Sequence, residues 1–247
     1  MGVIVITGGS RGIGASAAEH AARRGMGVIL TYNQHPDVAD EVVRRIEQAG
    51  GKAVALKLDV ADVGSFDAFR EAVLAALQQT WGTSTLAGLV NNAGYGLFNL
   101  LASVSEAQFD GLFNVHLKGP FFLTQTLLPL LEENASIVNL TSATTRVATA
   151  GVAPYAAFKG GLEVLTRYMA KEFGDRRIRA NAVSPGAIRT ELGGGLNDEF
   201  EAMLAAQTAL ARVGEPDDVA RVIAMLLSEE GAWINAQSIE VAGGYII

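Results

Sequence analysis

A chain of 247 residues with 49% apolar and 18% charged residues can bury one large core and lacks the composition of long disorder. Its net charge of -7 argues against nucleic acid or an anionic membrane as the main partner, and the absence of cysteine excludes disulfides, thiolate metal sites and thiol nucleophiles. No stretch reaches the roughly 18 uninterrupted apolar residues of a membrane span, and the opening VIVI is shorter than a signal-peptide core, so a soluble cytoplasmic protein is expected.

Along the chain, short apolar runs read as strands at 2–7, 27–32, 53–60, 86–92, 136–142, 178–185 and 237–244. Amphipathic helical patterns lie between them, as in DVADEVVRRIEQAG at 37–50. Strict alternation of strand and helix implies right-handed crossovers and a mostly parallel sheet with helices on both faces, a doubly wound Rossmann-type α/β fold. No linker, repeat or compositional break divides the chain, so residues 1–247 are expected to form one domain.

Two segments depart from that rhythm. Residues 111–131 carry a single formal charge, Lys118, which predicts a helix buried on two sides, by the sheet and by a partner subunit or further core. Residues 190–210 run from GGG at 193–195 into a short amphipathic helix, the pattern of a hinge and a substrate lid.

The first turn holds the clearest chemical signal. Thr7-Gly8-Gly9-Ser10-Arg11-Gly12-Ile13-Gly14 follows a strand and opens a helix, where glycines let the backbone approach a pyrophosphate that meets the helix N–H groups and dipole. Glycines at 8, 12 and 14 meet the G-x-G-x-x-G fingerprint only loosely, and a purely structural turn is the competing reading. The second strand ends Thr31-Tyr32-Asn33 with no carboxylate to grip ribose hydroxyls, while Arg11 stands ready for a 2'-phosphate. This pattern predicts NADP(H) over NAD(H).

Further on, Tyr155 and Lys159 share a helix face at i, i+4, with Pro154 at the helix start. An ammonium beside the phenol is expected to lower its pKa toward working pH, making Tyr155 an acid or base. Ser142, at the end of the SIVNLTS strand, offers a hydroxyl to orient a carbonyl for hydride attack. His20, His35 and His116 show no metal spacing and read as structural or solvated, and the G-x-S-x-G of a hydrolase is absent.

Taken together, these motifs resemble those of the short-chain dehydrogenase/reductase family along essentially the whole chain. They are TGxxxGxG at 7–14, Asp59-Val60, NNAG at 91–94, a helix asparagine at Asn114, Ser142, YxxxK at 155–159 and PG-x-I-x-T at 185–190. The resemblance implies a seven-stranded sheet and catalysis by Asn114, Ser142, Tyr155 and Lys159, with Asn114 linking Lys159 to solvent through its backbone and a water. It implies cofactor contacts from Gly8, Ser10, Arg11, Gly12, Ile13, Gly14 and Asn33. Asp59 and Val60 would meet the adenine, Asn91, Ala93 and Gly94 the adenosine ribose, and Pro185, Gly186, Ile188 and Thr190 the carboxamide, with Tyr155 and Lys159 at the nicotinamide ribose. Structural readings remain beside these: Asn91 and Asn92 as ties between strand ends, Asp59 as a loop cap.

The expected substrate is a small carbonyl compound or alcohol. Tyr95, Leu97, Val147, Val152, Phe200, Met203 and Leu204 are the expected pocket lining, apolar or mixed. Some relatives reduce 3-oxoacyl groups on acidic acyl carrier protein; Glu132 and Glu133 would repel such a partner, with Arg176 and Arg177 as compensation. A non-catalytic NADP sensor and a lyase or epimerase are the readings from other classes. The closing Ala242–Ile247 segment is expected at a subunit interface of a homotetramer.

Overall fold

A computed structural model of the chain describes residues 2–247. Strands β1 (Val3–Ile6), β2 (Gly27–Tyr32), β3 (Ala53–Lys57), β4 (Leu86–Asn91), β5 (Leu131–Leu140), β6 (Arg179–Pro185) and β7 (Ser238–Val241) make one sheet. Their order is β3-β2-β1-β4-β5-β6-β7, and every pairing is parallel. The helices are α1 (Gly12–Arg23), α2 (Pro36–Gln48), α3 (Phe66–Ala76), α4 (Glu106–Phe113), α5 (Gly119–Leu127), α6 (Ala153–Glu172), α7 (Asp198–Ala206) and α8 (Pro216–Leu227).

Because side chains alternate along a strand, each face of the sheet carries its own core. Val3, Val5, Ile29, Leu89 and Ile137 pack against α3, α5 and α6 through Phe69, Leu123 and Met169. Ile4, Ile6, Leu30, Val90 and Val138 pack against α1, α2 and α8 through Ala18, Val42 and Ile223. The central strand β1, VIVI, is apolar throughout because both faces are covered. Strand order reverses between β1 and β4, which opens a crevice at their C-terminal ends where parallel sheets bind ligands.

Two expectations change in detail. Residues 111–131 form no single helix: α4 ends in a π-helical turn, Asn114–Lys118, before α5 begins. Pro120, which has no N–H to close a regular helical bond, stands just after that turn. Second, β5 already starts at Leu131, so Glu132 and Glu133 belong to the strand; Asn134 adopts φ 64° where the register against β4 shifts. Segment 190–197 leads through Gly193–Gly195 into α7, whose Leu204 packs on Ala143. No helix among the described residues is long and apolar enough to cross a membrane.

Gly88 marks a tight point in the middle of the sheet. A Cβ there would stand 2.8 Å from the Ser136 carbonyl oxygen and 2.9 Å from Leu227 of α8. Gly88→Ala is expected to destabilise the fold by about 1–3 kcal/mol through overpacking, read as a lower denaturation midpoint at unchanged m-value.

Candidate active site

The turn between β1 and α1 is shaped around its own backbone. Gly8 adopts φ 63°, and a side chain on it would strike Ala93 at 2.8 Å; a Cβ on Gly14 would meet the Gly8 carbonyl oxygen at 2.3 Å. The Thr31 hydroxyl accepts from Gly8 N–H and the Thr31 carbonyl from Gly9 N–H, which ties the turn to β2. Arg11 precedes α1 without capping it, so the N–H groups of Gly12, Ile13 and Gly14 carry no side-chain partner. Open backbone donors, a helix dipole and no side chain in the way fit the pyrophosphate of a dinucleotide.

Strand β4 ends against this turn. The buried Thr7 hydroxyl accepts from the N–H groups of Asn92 and Ala93, both at 3.0 Å, while the Asn92 amide donates to the carbonyls of Thr7 and Gly8 at 2.8 and 3.1 Å. Asn92 is therefore the strand tie. Asn91 turns the other way, into the core, where its amide donates to Thr124 at 3.2 Å and to Asn139 at 2.8 Å. Both amide protons are spent there, which gives the Asn91 side chain a structural part in the core. Asp59 is exposed and accepts from Ala61 N–H at 2.9 Å, Val60 beside it is buried, and Asn33 is exposed just after β2.

From the other side, β6 delivers the segment from Pro185 to Thr190. A Cβ on Gly186 would meet Ala242 at 2.7 Å, Ile188 bridges to Gly214, and the Thr190 methyl lies 3.4 Å from where a Gly12 Cβ would stand. Arg11 and Glu191 form an exposed ion pair at 3.2 Å across this gap. The glycine turn, the 92–94 loop and the 186–191 segment thus border one cleft.

Ser142, Tyr155 and Lys159 form a second cluster, joined to the 92–94 loop through His116. Lys159 is 4% exposed and donates to the Leu140 carbonyl, the last of β5, at 2.6 Å. Its Nζ stands 5.6 Å from the Tyr155 ring centroid. Ser142 Oγ accepts from the Thr144 N–H at 3.2 Å and from the Thr144 hydroxyl at 2.9 Å, so both lone pairs are filled and its own proton is left to donate. Thr144, absent from the expected site, thereby sets the polarity of Ser142.

The electrostatics differ from expectation. Burial pushes the Tyr155 phenol up to about 12, against the pull of the Ser142 hydroxyl, and burial pushes Lys159 down to about 7. Desolvation outweighs the Ser142 hydrogen bond, which by itself lowers Tyr155. At neutral pH Tyr155 is therefore a phenol with a proton to give.

Among the described residues the Asn114 side chain makes no hydrogen bond to Ser142, Tyr155 or Lys159, and the side chain of its π turn in contact with Tyr155 is His116, with ring centroids 4.9 Å apart. His116 is buried, which leaves the structural alternative of its expectation and removes the solvated one. The Glu132–Glu133 pair also falls elsewhere, at the N-terminal end of β5, the end opposite Ser142 in the same chain. Arg177 pairs with Glu133 at 2.9 Å, and Arg176 is committed to the carbonyls of Leu128 and Leu131.

Comparison with known proteins bears on these groups. The family model described as enoyl-(acyl carrier protein) reductase matches residues 8–246. An uncharacterized oxidoreductase of Methylorubrum extorquens is 39% identical over 245 residues, spanning 98% of this chain and 96% of that protein. The 3-oxoacyl-[acyl-carrier-protein] reductase FabG of Staphylococcus aureus is 35% identical over 242 residues, spanning 97% and 96%. The crystal structure of the angucycline C-6 ketoreductase LanV with bound NADP aligns at a TM-score of 0.95 and 33% identity, covering 99% of this chain and 95% of that one.

Lys159 makes stability depend on pH. Its folded pKa of about 7 lies below the ordinary 10.5, so between those values the unfolded chain binds more protons and stability rises with pH. The stability difference between wild type and Lys159→Met is expected to grow toward high pH, by at most about 1.4 kcal/mol per pH unit, in denaturant titrations from pH 7 to 10.

Proposed function

The chain belongs to the short-chain dehydrogenase/reductase family, oxidoreductases of carbonyl and alcohol groups, and on that premise we propose that it reduces a ketone with NADPH, Tyr155 giving the proton. The observation that carries this reading is the convergence of a donor-only Ser142, a protonated Tyr155 and a buried Lys159 beside a dinucleotide-shaped cleft. The nicotinamide, when bound, supplies the hydride to the carbonyl carbon. Ser142 donates to the carbonyl oxygen and orients it, and Tyr155 transfers its proton to that oxygen as the alcohol forms. The Lys159 ammonium stabilises the phenolate left behind.

Arg11 supports NADPH over NADH. It is exposed, and its guanidinium can exchange Glu191 for a 2'-phosphate without desolvation cost. LanV, similar along the whole chain, holds NADP. Segment 190–210 is read as the substrate lid, hinged at Gly193–Gly195.

For the substrate, the cleft mouth favours a flat, apolar ketone. Tyr95 and Phe98 on one side and Phe200 and Met203 of α7 on the other are exposed, while Gly96 packs against Gly193 and joins the two rims. Exposed aromatic and methionine side chains around a cleft suit aromatic ring systems. A 3-oxoacyl thioester is the second reading, supported by the likeness to FabG.

Assembly as a homotetramer is part of the proposal. One exposed apolar face joins Phe109, Phe121, Val164 and Tyr168 of α4, α5 and α6; another joins the edge strand β7, the fully exposed Trp233 and Ile247. Two separate faces, each paired with its own copy, would make a dimer of dimers. Of the closing residues only Ile246 and Ile247 are free for this, because Tyr245 is buried within its own chain.

NADPH oxidation at 340 nm against polycyclic ketones, quinones and 3-oxoacyl thioesters tests the reading. Turnover of the aromatic ketones is expected, with Tyr155→Phe slower by about 100-fold or more. Arg11→Ala is expected to raise KM for NADPH about tenfold while leaving NADH use unchanged. Cofactor binding without turnover of any of these carbonyls would return weight to a sensor or lyase, and a monomeric mass by light scattering would end the tetramer.

A further inference from the structure

His116 has no role in the reaction as described so far, yet it packs against Tyr155 and lies within electrostatic reach of Lys159. The imidazole is 1% exposed, and its ring meets Tyr155 edge-on, with an interplanar angle of 82°. Nε2 lies 2.9 Å from the Tyr95 carbonyl oxygen, to which it donates, so the proton resides on Nε2. Nδ1 is then an acceptor. It is buried and has no protein partner.

A buried, unsatisfied acceptor costs stability, and a chain that keeps one beside its reacting groups has a use for it. Gly94 accommodates the ring: a Cβ there would stand 2.8 Å from His116 Cε1 and 3.3 Å from Nδ1, so the loop from β4 has to carry glycine for the imidazole to fit. The titratable groups facing His116 are Tyr155 and Lys159 of α6 and Tyr95 of the loop after β4. Burial and the Lys159 charge push the imidazole down to about 3, which keeps it neutral at working pH. Lys159 spends one of its donors on Leu140 and has others to direct.

We propose that His116, not Asn114, is the positioning residue of the Tyr155–Lys159 pair: its ring braces the phenol, and its neutral Nδ1 accepts a hydrogen bond from a water held by the Lys159 ammonium. It touches neither substrate nor hydride. Its effect runs through the orientation of Tyr155 and the ionisation of Lys159. The kinetic part of this inference rests on the reductase reading above.

Two independent measurements test it. In protein labelled with 15N-histidine, His116 is expected as the Nε2–H tautomer from pH 8 to 5, with an Nδ1 resonance that moves in Lys159→Met. Titration of His116 in that range, or an Nδ1 resonance indifferent to Lys159→Met, overturns the proposal whether or not a substrate is found. In turnover assays, His116→Leu is expected to lower kcat about 100-fold with KM for NADPH little changed, and to displace the pH limb that Lys159 sets. His116→Asn, whose amide both donates and accepts, is expected to recover most of kcat. Wild-type kcat and pH profile in the leucine variant, or equal losses in both variants, would show that the ring only fills space. If leucine prevents folding, the asparagine variant and the spectra still decide. A wild type that reduces no ketone would instead defeat the reductase reading and leave the spectroscopic result standing.

Discussion

The site depends on one buried ammonium held on one carbonyl. Lys159 reaches from α6 to the last carbonyl of β5, and in doing so pins the helix that carries Tyr155 to the strand that ends beside Ser142. A charge taken out of water is costly unless it is hydrogen-bonded, so this contact constrains where α6 can sit. The same desolvation brings Lys159 to about 7, within reach of the pH at which protons are exchanged. Position and chemistry therefore share one cause.

Around that contact, the parallel sheet gathers residues far apart in the chain. All seven strands point the same way, so the loops after β1, β4, β5 and β6 emerge on one edge. Reversal of strand order between β1 and β4 opens that edge, and the Thr7 and Asn92 hydrogen bonds hold its two lips at a set distance. Behind it, the Asn91–Asn139–Thr166 hydrogen bonds cross from β4 through β5 to α6 inside the core. A polar chain of that kind adds rigidity to the scaffold beneath the reacting groups.

Departures from regular structure cluster at the same place. The π turn at Asn114–Lys118 aims His116 at Tyr155, and its neighbour Gly119 fits so closely against Val60 that a Cβ would meet the Val60 carbonyl oxygen at 2.3 Å. Helical bulges of this type occur often at functional sites because they re-aim a side chain at the expense of regular bonding. The unpartnered nitrogen of His116 belongs to the same pattern, in which local stability is given up for geometry.

The sequence by itself determined the architecture and most of the chemistry. Alternating apolar runs separated by amphipathic stretches can satisfy their backbone and bury their faces only as a covered parallel sheet, and the i, i+4 spacing of Tyr155 and Lys159 puts them on one helix face whatever surrounds it. Tertiary structure alone decided which groups join them. One residue added to a helical turn rotates the following side chains by about 100°, and no local pattern in the stretch around Asn114 and His116 announces it. The inward turn of Asn91, the distance of Glu132 and Glu133 from the cleft and the rise of Tyr155 to about 12 were equally hidden. Each depends on strand register, chain direction or burial, which are set by contacts between segments distant in the chain.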